Sequence, residues 1–306
     1  GRKSAPFYDI SKKQTDNIMM SAVKRTGRYQ QLKNDGMSED SIMLEFHKPV
    51  QTSRFTWKGE EDVEMSPYDS IRYHKQIAMA GLMSMSPATG EIKAWVGGIN
   101  WQHFQYDHIK QGKRQVGSTF KPFVYATAIM NLGMTPCSTV SNATYTKGDW
   151  VVEGKGGNLT LRDALAHSKN PVAVRLIESV SPKKVIQLAR DLGVTEEMPN
   201  EYAIALGSTD ITIYEMLGAY SSFANFGNYI KPEMVWRIED ANGRVIKEVK
   251  NETKEVMNEM YAYTMIDLMK GVTRFGTASG ELRRMGIPET VEIAGKTGTT
   301  QNNSDG

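Results

Sequence analysis

Residues Gln115–Phe123 read QVGSTFKPF, and they set Ser118 three residues before Lys121, with Pro122 next. Proline has no N–H and breaks a helix interior, but it suits a first turn. The run KPFVYATAIMNLG has helical length and stops at Gly133. Pro122 therefore marks a helix start, with Ser118 at or just before it. Side chains three apart share a helix face, so the Lys121 amine can approach the Ser118 hydroxyl. A serine hydroxyl is a weak nucleophile that needs an adjacent base. A partly desolvated lysine can lose its proton and become that base. The helix N-terminus also favours negative charge developing nearby. The spacing alone is ordinary, because Ser21–Lys24 and Ser181–Lys184 share it. Ser181-Pro182 reads as an N-cap followed by proline at N1, and Ser21 lies in a polar helix.

Two further stretches bear on the first. AHSKNP holds Ser168-Lys169-Asn170, the only Ser-x-Asn in the chain. Pro171 disfavours a continuous helix through Asn170. Ser168 could relay a proton and Asn170 could hydrogen-bond a substrate amide. Taken alone, a capping role at the next helix is the stronger reading. AGKTGTT holds Lys296, Thr297, Gly298 and Thr299. A strand with a cation and hydroxyls on one face, and a glycine allowing close backbone approach, suits an extended peptide bearing a carboxylate. An edge strand guarded by a lysine fits the same residues.

The composition is globular, with 40% hydrophobic and 24% charged residues in 306. That length serves one large domain or two modest ones. A net charge of +2 gives no nucleic-acid footprint. Cys137 is the only cysteine, which excludes an internal disulfide and a thiolate zinc cluster. The five histidines, at 47, 74, 103, 108 and 167, have no metal-ligand spacing. His167 adjoins Ser168 and reads as structural. No apolar run approaches the ~18 residues of a membrane span. The chain opens on GRKSAP, without initiator Met or signal peptide, like a piece of something longer.

Residues 1–64 read as a linker or connector module with little core of its own. They hold a helical run ending near Gly36, a helix after Ser38 and a strand in QTSRFTWKG. Residues 65–306 form the second domain. IAMAGLMSMSP and EIKAWVGG make a hairpin through ATG. Helices follow in LTLRDALAHS, NPVAVRLIES, SPKKVIQLARDLG and TIYEMLGAYSSFANFG, the last with Gly227 as its C-cap. A hairpin turns at Asn242-Gly243, EVMNEMYAYTMIDLMKGVTRFG is a long helix, and VEIAGKTGTTQ is a last strand. The predicted class is α+β, an antiparallel sheet with a helical block.

Ser-x-x-Lys, Ser-x-Asn and Lys-Thr-Gly in this order, at domain-scale spacing, are the signature of class A β-lactamases and penicillin-binding proteins. From about Met65 the chain resembles the transpeptidase domain of a high-molecular-weight, class A (bifunctional) penicillin-binding protein. MSPYDSI, MSPATGEIKAWVGG, KRQVGSTFKPF, SKNPVAVRL, IALGSTDITIYEMLGAYSSFANFG and AGKTGTTQ carry the likeness. The resemblance implies the penicillin-binding-protein/serine β-lactamase-like fold. Ser118 is then the acylated nucleophile, Lys121 its base and Ser168 the proton relay. Asn170 holds the donor peptide's amide, and Lys296, Thr297, Gly298 and Thr299 form the carboxylate-recognising wall. The backbone N–H groups of Ser118 and Thr299 make an oxyanion hole, where losing one donor costs ~100–1000-fold in rate.

The implied reaction is D,D-transpeptidation of peptidoglycan stem peptides, with β-lactams as acylating mimics and no metal or organic cofactor. The implied setting is extracytoplasmic, with a membrane anchor in a missing N-terminal part and wall-synthesis proteins as further partners. Family members continue past QNNSDG into further strands and a closing helix, so the resemblance predicts a C-terminally truncated fragment that folds poorly or acylates slowly. Three rivals share the motifs. A serine β-lactamase needs a glutamate to activate water, and Glu196 with Asn200 in EEMPN has a suggestive spacing, although Pro199 favours a loop. A non-enzymatic β-lactam sensor and a D,D-carboxypeptidase are the other two.

Overall fold

The structure, a computed structural model, describes residues 11–299. The chain divides into two compact units, one built on residues 11–80 with Asn100–Phe104 and the other on Gly81–Ile99 with residues 105–299.

In the first unit, α1 (Lys12–Lys24) begins at a reciprocal capping box between Ser11 and Gln14. The run expected as one helical pattern to Gly36 is two helices. The backbone extends at Thr26, whose hydroxyl then caps α2 (Gly27–Asn34) by accepting from the Tyr29 N–H. Ser38 caps α3 (Glu39–His47) in the same way. A hairpin joins β1 (Val50–Thr56) to β2 (Gly59–Met65), in register from Val50↔Met65 to Thr56↔Gly59. Ser66 caps α4 (Pro67–Lys75), which has Pro67 in its first turn. The expectation of little core needs correcting here. Val23, Tyr29, Ile42 and Phe46, drawn from three helices, form a buried cluster. Each helix contributes only one or two apolar side chains, too few to stand out in a polar sequence.

The second unit opens with the hairpin of β3 (Leu82–Met85) and β4 (Ile92–Val96). β5 (Lys113–Gln115) leads into a 3-10 turn, Gly117–Phe120, and then α5 (Lys121–Leu132), which Gly133 ends in a left-handed conformation. β6 (Thr139–Ser141), β7 (Tyr145–Lys147), β8 (Trp150–Val152) and β9 (Asn158–Thr160) pair as β6 with β9 and β7 with β8. The helices α6 (Leu161–Ala166), α7 (Asn170–Val180) and α8 (Pro182–Asp191) follow. β10 (Asp210–Thr212) returns to pair with β5 and enters α9 (Ile213–Ala224). Asn225 caps α9 two residues earlier than expected, and the chain then turns left-handed at Phe226 and Gly227. β11 (Asn228–Ile230) pairs with β14 (Thr253–Glu255) around the hairpin of β12 (Arg237–Glu239) and β13 (Val245–Glu248). α10 (Glu259–Arg274) and α11 (Ser279–Arg284) complete the unit.

This is an α+β arrangement, with every named ladder antiparallel and two-stranded among the described residues. Helix α5 is its axis. Residues 121–129 are buried without exception, Lys121 and Thr127 among them, and the helix packs against α7, α8 and α10. The expected strand VEIAGKTGTTQ joins no ladder within residues 292–299, and its last two residues lie outside the described range. Its backbone is tied to α10 instead. The Thr273 hydroxyl donates to the Ile293 carbonyl, and the Gly295 N–H donates to the Met269 carbonyl at 3.4 Å. The residues after Gln301, on which the truncation argument drew, also lie outside the description.

Candidate active site

The turn that carries Ser118 is clamped from both sides by backbone. Val116 N–H donates to the Thr209 carbonyl and Gly117 N–H to the Gly207 carbonyl, each at 3.1 Å. Both glycines have positive φ, 52° and 74°. A Cβ on Gly207 would strike the Gly117 backbone, and one on Gly117 would strike the Thr299 carbonyl. The buried Tyr220 hydroxyl donates to the Thr119 carbonyl. Gly207, Thr209 and Tyr220 thus build the turn that holds Ser118. Their stretches stood out in the sequence, but nothing in the spacing showed that they reach back across about a hundred residues.

Ser118 is half-buried and sits in the 3-10 turn, not within α5. Among the described residues no hydrogen bond joins its hydroxyl to Lys121. The Lys121 amine reaches Ser168 and Asn170 instead. Its Nζ donates to the Ser168 carbonyl at 2.6 Å and to Asn170 Oδ1 at 2.6 Å, and it lies 3.1 Å from Ser168 Oγ. Lys121 is 0% exposed. The acceptors favour a protonated amine, but burial first, and then the nearby cations Lys296 and Lys169, push its pKa down to about 7.

Ser168 occupies an unusual backbone position. After α6 the Ser168 N–H donates to the Leu165 carbonyl and the Lys169 N–H to the Ala164 carbonyl, a Schellman closure. Its left-handed residue is normally glycine, yet Ser168 fills it at φ 54°. Strain of this kind costs about 1–3 kcal/mol and persists where surroundings enforce it. Neither Ser168 nor Asn170 caps α7 with its side chain, so the capping alternative fails. His167 is exposed, tilts against Phe275 and lies 3.1 Å from the Asp163 carbonyl through Nδ1, a structural set of contacts.

The third stretch follows α11 and is anchored on α10. Lys296 Nζ donates to Ser168 Oγ at 2.9 Å and to the Thr297 carbonyl at 2.8 Å, and burial lowers its pKa to about 8. Gly298 passes so close to the turn that a Cβ would meet Thr119 Cγ2 at 2.9 Å. The Thr297 hydroxyl lies 2.6 Å from that of Thr277. By contrast, the look-alike Lys24 is spent on an exposed ion pair with Glu39. Glu196 pairs with Lys113 at 2.9 Å, and Asn200 lies in a loop, so neither joins the cluster.

Ser168 Oγ stands between two amines. It accepts from the Lys296 ammonium, so its own hydrogen can point to the lone pair of a neutral Lys121. This is a short path for a proton, beside a half-buried hydroxyl on a clamped turn. Such an array can take a proton from one group and give it to another in acyl transfer.

Comparison with known proteins finds family matches along nearly the whole chain. The penicillin binding protein transpeptidase domain matches residues 80–306, and the penicillin-binding protein middle domain matches residues 2–78. Penicillin-binding protein 1A of Aquifex aeolicus is 37% identical over 234 residues, 73% of this chain and 31% of that protein. Penicillin-binding protein 1A of Neisseria meningitidis serogroup A is 33% identical over 246 residues, covering 75% of this chain and 30% of that one. The chain thus spans less than a third of the length of these relatives. In fold it is similar to penicillin-binding protein 1A from Haemophilus influenzae, with TM-score 0.66 and 23% identity over 81% of this chain and 42% of that one. It is also similar to PonA1 from Mycobacterium tuberculosis, solved in complex with penicillin V, with TM-score 0.63 and 22% identity over 94% of this chain and 77% of that one. With the transpeptidase match spanning well over half its residues, the chain belongs to the penicillin-binding proteins and carries their transpeptidase domain.

Proposed function

We propose that this domain is a serine-type peptidoglycan D,D-transpeptidase with Ser118 as its nucleophile. Neutral Lys121 takes the Ser118 proton as Oγ attacks the carbonyl of a D-alanyl-D-alanine bond. The N–H groups of Ser118 and Thr299 hold the oxyanion. The C–N bond breaks as Lys121 returns that proton through Ser168 Oγ to the leaving D-alanine amine, and an acyl-enzyme remains on Ser118. A second stem's amine attacks the acyl carbon and loses a proton through Ser168 to Lys121, the ester C–O bond breaks with that proton returned to Ser118 Oγ, and the cross-link is formed. Asn170 holds the donor's amide, and Lys296, Thr297, Gly298 and Thr299 receive its terminal carboxylate. Ser118 and Lys121 need only close up when substrate binds, as catalytic hydrogen bonds commonly do. β-Lactams acylate the same serine, and the parent protein works outside the cytoplasmic membrane with other wall-synthesis proteins. In this organisation the first unit, through residue 80, is a connector and the catalytic domain follows it.

The observation that carries this reading is the convergence of Lys121 Nζ and Lys296 Nζ on Ser168 Oγ, with Asn170 Oδ1 accepting from a fully buried Lys121. Fluorescent penicillin should label the wild type and should not label Ser118→Ala. Equal labelling of the two would remove Ser118 as nucleophile. Label lost within seconds, by rapid hydrolysis, would favour a β-lactamase. Lasting label without transfer to an added amine would favour a sensor.

A further inference from the structure

We propose that Thr277 is a specificity-determining residue, whose hydroxyl acts with that of Thr297 as one carboxylate-recognising pair. This rests on the transpeptidase reading and adds a residue outside the three motifs. The segment Phe275–Thr277 leaves α10 and is pinned to the end of α6. Gly276 N–H donates to Gly271 O at 2.9 Å, and Thr277 N–H donates to Ala166 O at 3.1 Å, two residues before Ser168. A Cβ on Gly276 would strike the Ala166 carbonyl, so glycine is what lets the two backbones meet. The backbone of Thr277 is therefore fixed, while its side chain is exposed and faces Thr297. Fixed backbone with an exposed hydroxyl that meets only the Thr297 hydroxyl among the described residues is the arrangement expected of a ligand contact.

The two oxygens, 2.6 Å apart, can share only one hydrogen. With Thr277 donating to Thr297, the Thr297 hydrogen is aimed outward, and accepting a bond strengthens it as a donor. Lys296, which donates to the Thr297 carbonyl, places a cation on the same residue. An anionic group meeting Thr297 thus finds a polarised O–H and an ammonium together, a match for a carboxylate terminus.

The test compares benzylpenicillin with its methyl ester as competitors of fluorescent penicillin, in wild type, Thr277→Val and Thr277→Ser. Thr277→Val should lower the acylation efficiency of the acid about tenfold, the scale of one hydrogen bond to a charged group, and leave that of the ester unchanged. Thr277→Ser should restore the acid. Unchanged ester reactivity also shows that the variant is folded. If wild type takes label but Thr277→Val keeps the wild-type ratio of acid to ester, or lowers both equally, the proposal is overturned and the transpeptidase reading stands. A wild type that takes no label overturns both.

Discussion

Lys121 is the only cation in α5, and it lies among Phe123, Val124 and Tyr125 in a helix with no exposed face over its first nine residues. Its amine and that of Lys296 both reach Ser168 Oγ, so their charges oppose each other across one hydroxyl. The proposed mechanism gives them opposite needs. Lys121 must be neutral to accept a proton, so acylation rises with pH through about 7. Lys296 must be charged to meet a carboxylate, so acylation falls as pH passes about 8. We predict a bell-shaped profile for the second-order rate of acylation by benzylpenicillin, peaking between those values. Lys296→Arg keeps a cation that does not titrate in this range, so its alkaline limb should move up or vanish while its acid limb stays. A wild-type rate that is flat from pH 6 to 9 would contradict both assignments. Motif order in the sequence singled out these two lysines as candidates. Their partners were not legible there, because hydrogen bonds between residues 121, 168 and 296 depend on a fold that spacing cannot supply.

Among the elements, the α6–α7 junction is where stability and chemistry pull apart. A Schellman closure wants glycine at its left-handed residue. Ser168 sits there, and its Oγ is held between two amines. Both Ser168→Ala and Ser168→Gly remove the hydroxyl, but only glycine removes the strain. Ser168→Gly should be more stable than Ser168→Ala by about 1 kcal/mol, from the cost of left-handed backbone at a non-glycine residue, and both should acylate poorly. Thermal denaturation with penicillin labelling checks this, and equal stability of the two would show that the backbone there is unstrained. Pro171 announced the break between α6 and α7 in the sequence, as Pro122 announced the start of α5. The short strands β5 and β10 were not announced. Three residues each are too few for a period to register, yet their pairing brings Gly207 and Thr209 onto the Ser118 turn. The Lys296 segment misled in the other direction. Its residues suit a strand, but an extended run becomes one only with a ladder partner, and here its nearest anchors are on α10.

Across the chain, each unit has its own core, and every residue of the proposed site lies in the second. The larger core was legible, since α5, α7 and α10 carry dense apolar runs. The smaller one was not, because it gathers four side chains from three polar helices. The two cores predict separable failures. Ile42 is fully buried in the small cluster, and Ile42→Ala should cost about 2–5 kcal/mol. In a cluster of four buried side chains that loss is enough to open the first unit to proteolysis. Penicillin labelling of Ser118 should persist, because no group of the site draws on that core. Phe123 is fully buried beside Phe120 and Tyr220, the residues that form and brace the Ser118 turn. Phe123→Ala removes about 3–5 kcal/mol from the larger core and should abolish labelling. Limited proteolysis read together with a fluorescent gel separates the cases. Cleavage confined to residues 11–80 with full label is expected for Ile42→Ala. Loss of label in Ile42→Ala to the same extent as in Phe123→Ala would mean that the two cores unfold as one.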